Sequence, residues 1–105
     1  MKCVDIYIFQ VGTHELFPFT FMQKAYQIGI KGFVFQKNKD LFIEAEGEEE
    51  TLESFIEYCE RCQILGGDDY IEVEKAEVRN YTSFEIIEKV SALPKPINFK
   101  EKNDD

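Results

Sequence analysis

Few residues of this chain carry reactive groups, and they are unevenly placed. The lone histidine, His14, stands beside Glu15 in a short stretch that opens on Gly12. An imidazole titrates near neutral pH, so it can donate to an anion or accept a proton. With no visible partner, however, His14 also reads as an ordinary surface residue. The second constellation is Cys59-Glu60-Arg61-Cys62, which has the spacing of a redox dithiol. Such pairs work at a helix N-terminus, where the dipole lowers the thiol pKa. This one falls near the end of an expected helix, with Cys59 on the apolar stripe. A structural zinc site takes about four ligands, and His14 is the only histidine. The cysteines are therefore expected to be small core-facing residues, with no metal and no cofactor. Three is an odd number, so no disulfide framework is expected either.

Charge narrows the partners. The 105 residues carry 12 Lys and Arg against 21 Asp and Glu, a net charge of −9. Much of it falls between Glu44 and Glu60, which reads as a solvated acidic face that aids solubility. Phosphate backbones demand neutralising cations, so nucleic acid and anionic membrane surfaces are not expected partners. No apolar run is long enough to span a bilayer. Asp5 interrupts any signal-peptide core, and a cytoplasmic protein is expected.

The elements that must position these residues follow from periodicity. Residues 3–10 are rich in β-branched and aromatic types and read as a buried strand. A loop follows from Val11 to Phe17, and Pro18 suits the first turn of a helix, where a missing N–H costs nothing. Phe21, Met22, Ala25 and Ile28 recur at helical spacing up to Gly29. Residues 30–37 and 41–46 read as a hairpin across Asn38-Lys39-Asp40. From Glu49 to about Leu65 an apolar face (Leu52, Phe55, Ile56, Cys59) lies opposite acidic residues. Residues 70–80 alternate through Ile71, Val73, Ala76 and Val78, and Phe84–Ile87 forms a short last strand. The order β-α-β-β-α-β predicts an α+β, ferredoxin-like sandwich, with a four- to five-stranded antiparallel sheet and two helices on one face. Residues 1–90 form the expected domain. Residues 91–105, with Pro94 and Pro96, read as a partly ordered tail that Ile97 and Phe99 could anchor.

The order and spacing of several stretches resemble the acylphosphatases. Ala25-Tyr-Gln-Ile-Gly-Ile-Lys-Gly-Phe-Val34 is similar to A-x-x-L-G-L-x-G-W-V. Ile43-Glu-Ala-Glu-Gly47, followed by Leu52-Glu-Ser-Phe55, is similar to V-x-x-x-A-E-G followed by L-x-x-F. Phe84-Glu-Ile86 resembles the terminal strand. That family hydrolyses carboxyl-phosphate anhydrides without a metal. Its loop V-Q-G-V-G-F-R cradles the phosphate and is closed by the arginine, and a strand asparagine positions water.

The resemblance implies that the loop maps onto Gly12, Thr13, His14, Glu15, Leu16 and Phe17. Pro18 then stands at the arginine position and Gln36 at the asparagine position. Proline offers no donor, and a carboxylate such as Glu15 repels an anion by about 1–4 kcal/mol at about 4 Å. Leu16, Phe17 and Phe19 suit an apolar contact, or pack beneath the loop. Lys31 and Lys37 lie near Gln36 in sequence. These readings predict no catalytic residue at the family positions and a non-catalytic module that binds a protein or small ligand through the loop. A working acylphosphatase with relocated residues is the alternative. A structural module pairing through an open sheet edge is another, and a monomer or weak homo-oligomer is expected.

Overall fold

The computed structural model describes residues 1–9, 17–37, 40–61 and 70–97. Strand β1 (Lys2–Phe9) is followed by helix α1 (Phe17–Ile28), strands β2 (Lys31–Lys37) and β3 (Asp40–Gly47), helix α2 (Glu49–Arg61), and strands β4 (Tyr70–Ala76) and β5 (Phe84–Ile87). The sheet order is β4-β1-β3-β2-β5. β1 pairs antiparallel with β3 and β4, and β2 pairs antiparallel with β3. β5 lies parallel to β2 on the far edge, so the expected antiparallel sheet ends in one parallel pair. This is the expected ferredoxin-like arrangement with its fifth strand.

Alternation sorts the central strands into two faces. Ile6, Ile8, Val34, Leu41, Ile43 and Ala45 point to one, where Phe21 and Ala25 of α1 and Leu52, Phe55 and Cys59 of α2 cover them. The two helices meet through Phe21 and Tyr58, whose rings pack edge to face at 5.9 Å. Helix α1 stops because Gly29 takes φ +84°, and the Ile30 N–H donates to the Ala25 carbonyl at 2.8 Å. A glycine adopts this left-handed conformation without steric cost. Helix α2 carries Glu49 and Glu50 in its first turn and Arg61 in its last, both favourable to the helix dipole. Its expected continuation to Leu65 and the residues Cys62 to Asp69 lie outside the described residues.

The opposite face is not open to water. Tyr7, Phe9, Phe33, Phe35 and Phe42 form a second apolar cluster, and Tyr81, Ile87, Leu93 and Ile97 pack against it. After β5 the chain makes a short 3₁₀ turn, Val90–Ala92, and returns as a strap across the sheet. Ile97 thus anchors the segment, and Phe99 lies outside the described residues. The alternation expected through Val78 stops earlier, at Ala76. Beyond it the backbone N–H groups of Arg79, Asn80 and Tyr81 turn to a side chain of β3, and Asn80 takes φ +61°.

Candidate functional site

One end of the sandwich holds Phe17, Pro18, Phe19 and Gln36, four of the residues singled out by sequence. Ile71, Ile8, Leu41 and Gln36 lie in one row across β4, β1, β3 and β2. Three of the four are apolar; Gln36 adds the only side-chain amide of that row, half-buried on the helix-bearing face. Helix α1 runs back along β2, so its first turn sits at this same end. Pro18 is buried there. Phe17 opens the helix, and Phe19 remains 44% exposed. The loop residues Gly12, Thr13, His14, Glu15 and Leu16 lie outside the described residues. β1 finishes and α1 begins at this end.

Lys37 follows Gln36 in β2 and is exposed. Lys31 does not approach Gln36. It lies at the other end of β2, where its Nζ donates to the Thr82 carbonyl at 3.4 Å. Reading proximity from sequence failed here because a strand advances about 3.3 Å per residue. Among the described residues no group of three or more His, Cys, Asp or Glu is placed to hold a metal ion.

A second polar constellation lies on the opposite face and was missed by the sequence reading. Glu44 and Glu46, counted above with a solvated acidic face, are 0% and 1% exposed, and Asp5 is 7% exposed. The correction follows from β3 sitting centrally in the sheet, with its second face under the strap. Asp5 and Glu44 are register partners on β1 and β3. Lys95 of the strap reaches both, with Nζ 2.8 Å from Asp5 Oδ2 and 2.7 Å from Glu44 Oε2. The Tyr81 hydroxyl donates to Glu44 Oε1 at 2.5 Å, and Arg79 Nε lies 3.6 Å from the same oxygen. Glu46 accepts the backbone N–H groups of Arg79, Asn80 and Tyr81 at 2.5, 3.0 and 2.7 Å.

Electrostatics divides this cluster. Burial, reinforced by a hydrogen bond with Glu44, pushes the Asp5 carboxyl up to about 7. Burial would also raise Glu44, but hydrogen bonds from Asp5, Lys95 and Tyr81 outweigh it and hold the carboxyl below its ordinary value. Asp5 Oδ1 is buried without a protein donor; a proton on Asp5 that is donated to Glu44 satisfies both groups. Burial would lower Lys95, yet its bonds to Asp5 and Glu44 raise it. Burial, and then Glu44, raises the Tyr81 phenol. Cys3, on the same face, is pushed up to about 12 by burial, then by Glu44, Glu46 and Asp5. Lys95 and Arg79 are engaged by carboxylates and Glu46 by backbone N–H groups, so the cluster ties the strap and the segment after β4 to the sheet. A lysine isolated between two prolines was the one sequence signal that could have pointed to it.

The two faces differ in how they relate to known proteins. The acylphosphatase sequence family matches residues 16–86, which includes Pro18 and Gln36 and stops before the strap. An acylphosphatase of Archaeoglobus fulgidus is 38% identical over 89 residues, covering 82% of this chain and 98% of its own length. Full-length HypF in its phosphate- and nucleotide-bound form superposes with a TM-score of 0.70 at 30% identity over 82% of this chain, which spans 12% of HypF. Acylphosphatase from Bacillus subtilis superposes with a TM-score of 0.65 at 20% identity, over 83% of this chain and 99% of that one. Strand order, the helix pair on one face and the matched residues all agree, and the chain belongs to the acylphosphatase family.

Proposed function

We propose that this acylphosphatase-family domain does not hydrolyse acyl phosphates and acts as a binding module. One observation carries the reading: Pro18 is buried in the first turn of α1, at the position that counting back from Gly29 assigns to the family's arginine. Arginine there would close a phosphate cradle with a permanent charge and a planar set of donors. Proline supplies neither. Removing one donor that stabilises transition-state charge costs about 100- to 1,000-fold in rate. Gln36, one methylene longer than asparagine, adds a displacement of about 1 Å in a positioning group, worth roughly another 100-fold. The ligand in this reading is a protein segment or a small molecule held at the loop end of the sandwich, in a cytoplasmic setting. The buried free thiols of Cys3 and Cys59 are compatible with a reducing compartment.

The alternative is an active acylphosphatase with relocated residues. The 38% identity to an acylphosphatase over nearly that protein's whole length favours it. His14 and Gln36 would then carry the chemistry. Benzoyl phosphate hydrolysis separates the two. The wild-type protein should be inert, while Pro18→Arg combined with Gln36→Asn should gain measurable turnover. Wild-type turnover that scales with protein and is lost in His14→Ala would establish the alternative.

A further inference from the structure

We propose that the sheet face opposite the helices is a peptide-docking surface for a lysine flanked by prolines and aliphatic residues, and that residues 93–97 occupy it as an exchangeable intramolecular ligand. This inference is independent of whether the loop end hydrolyses acyl phosphates.

The seat is built by the domain and not by the strap. Asp5 and Glu44 face each other across β1 and β3. The Tyr81 hydroxyl and the Arg79 guanidinium, both before β5, hold Glu44 in place. A cation is the missing element of that arrangement, and Lys95 Nζ supplies it, 5.8 Å from the centre of the Phe42 ring. On the surrounding aromatic cluster sit two aliphatic anchors, Leu93 and Ile97, one on either side of the lysine. Pro94 and Pro96 fix φ and remove two backbone donors, and the backbone bends at Pro94 and Lys95, so the segment is restrained before it docks and loses less entropy on docking. The peptide chemistry of the proposed partner is thereby written in the strap: aliphatic, proline, lysine, proline, aliphatic.

Two observations make the strap an occupant more than a part of the fold. Glu88 to Ala92, which lead into the strap, are all exposed. The two backbone hydrogen bonds there, Ala92 N–H to Lys89 and Leu93 N–H to Val90, are internal to the turn. A groove of about 500 Å³ is lined by Phe35 and Lys37 of β2 and by Val90, Leu93, Lys95 and Ile97 among others. An outside segment with the same pattern would compete with the strap, and its apparent affinity would be reduced by the fraction of time the strap is seated.

The test uses the full chain and a fluorescently labelled peptide of residues 89–97, read by anisotropy. A partly buried hydrogen-bonded charge is worth about 10- to 100-fold in binding. Lys95→Met in the chain should therefore take up the peptide about 10- to 100-fold more tightly than the wild type does. The same peptide with methionine at the lysine position should bind at least about tenfold more weakly. Ile97→Ala provides a second chain with a weakened strap and an intact pin. A folded Lys95→Met or Ile97→Ala chain that binds the peptide no better than wild type would overturn the proposal. So would equal binding of the two peptides. Loss of folding in both variants would overturn it as well, because a strap the domain cannot fold without is not an exchangeable ligand.

Discussion

Replacing Glu46 by alanine tests whether one buried carboxylate holds the crossing from β4 to β5. That crossing carries the chain from one edge of the sheet to the other. The Glu46 side chain accepts three successive backbone N–H groups from it. A hydrogen bond to a charged group contributes about 1.5–3 kcal/mol, which would give at most about 9 kcal/mol for three. The sum is too large, for two reasons. Arg79 and Asn80 are exposed, so their freed N–H groups regain water. Removing Glu46 also takes one negative charge from the face of β3 that holds Glu44. About 3–5 kcal/mol remains, a large share of the 5–15 kcal/mol that holds a domain of this kind together. Glutamine keeps one carbonyl acceptor and should cost roughly half as much. Urea unfolding followed by far-UV circular dichroism reads both variants, with the midpoint falling and the slope unchanged. A Glu46→Ala midpoint within about 0.5 kcal/mol of wild type would refute the reasoning, since surface substitutions alone reach that size.

Gly32 takes φ +135°, and a Cβ there would lie 1.8 Å from the Glu44 carbonyl oxygen; Gly32→Ala should abolish cooperative folding or cost more than about 4 kcal/mol, measured by thermal melting. Asp5 holds its proton up to about pH 7 in the folded chain against an ordinary value of 3.8, so its contribution to stability is present at low pH and is lost as pH rises toward 7. Glu44, held below its ordinary value, contributes with the opposite sign, its stabilisation being lost as pH falls. Asp5→Asn removes only the first dependence, and its stability relative to wild type should rise by about 1–3 kcal/mol between pH 5 and 8, checked by urea titration at both values. Cys3, whose thiol is pushed up to about 12, should resist alkylation in the native protein at pH 8 and react at once in urea, as mapped by mass spectrometry.

Much of the fold was legible because its signals are local. The β-branched and aromatic content of β1, the turn residues between β2 and β3, the helical spacing of Phe21, Ala25 and Ile28, and glycine at position 29 each act within a few residues. Strand ends were less legible where a distant partner decides them: β4 ends at Ala76 opposite Cys3, where β1 runs out, and Glu46 then takes the N–H groups of residues 79–81. The same limit hid the second polar cluster. Glu44 and Glu46 look like their acidic neighbours in α2, and only their place on a central strand beneath the strap separates a buried carboxylate from a solvated one. Pro18 and Gln36 were found by counting along a family pattern, and the structure brings both to one end of the sandwich. No periodicity marks them, because a site depends on which strand ends meet and not on repeat.

The bond between Lys95 and Asp5 joins residues 90 positions apart, and this has a kinetic consequence. Closing so long a loop is entropically slow, and the contact gains nothing until β1 and β3 have already paired. The strap is therefore expected to dock after the rate-limiting step of folding. Weakening it should leave the refolding arm of a chevron plot almost unmoved and raise the unfolding arm without changing its slope. Until it docks, a folding chain displays Tyr7, Phe33, Phe35 and Phe42 as a bare aromatic sheet. A late strap therefore leaves the folding chain open to self-association through that face until it docks, and protects it only afterwards.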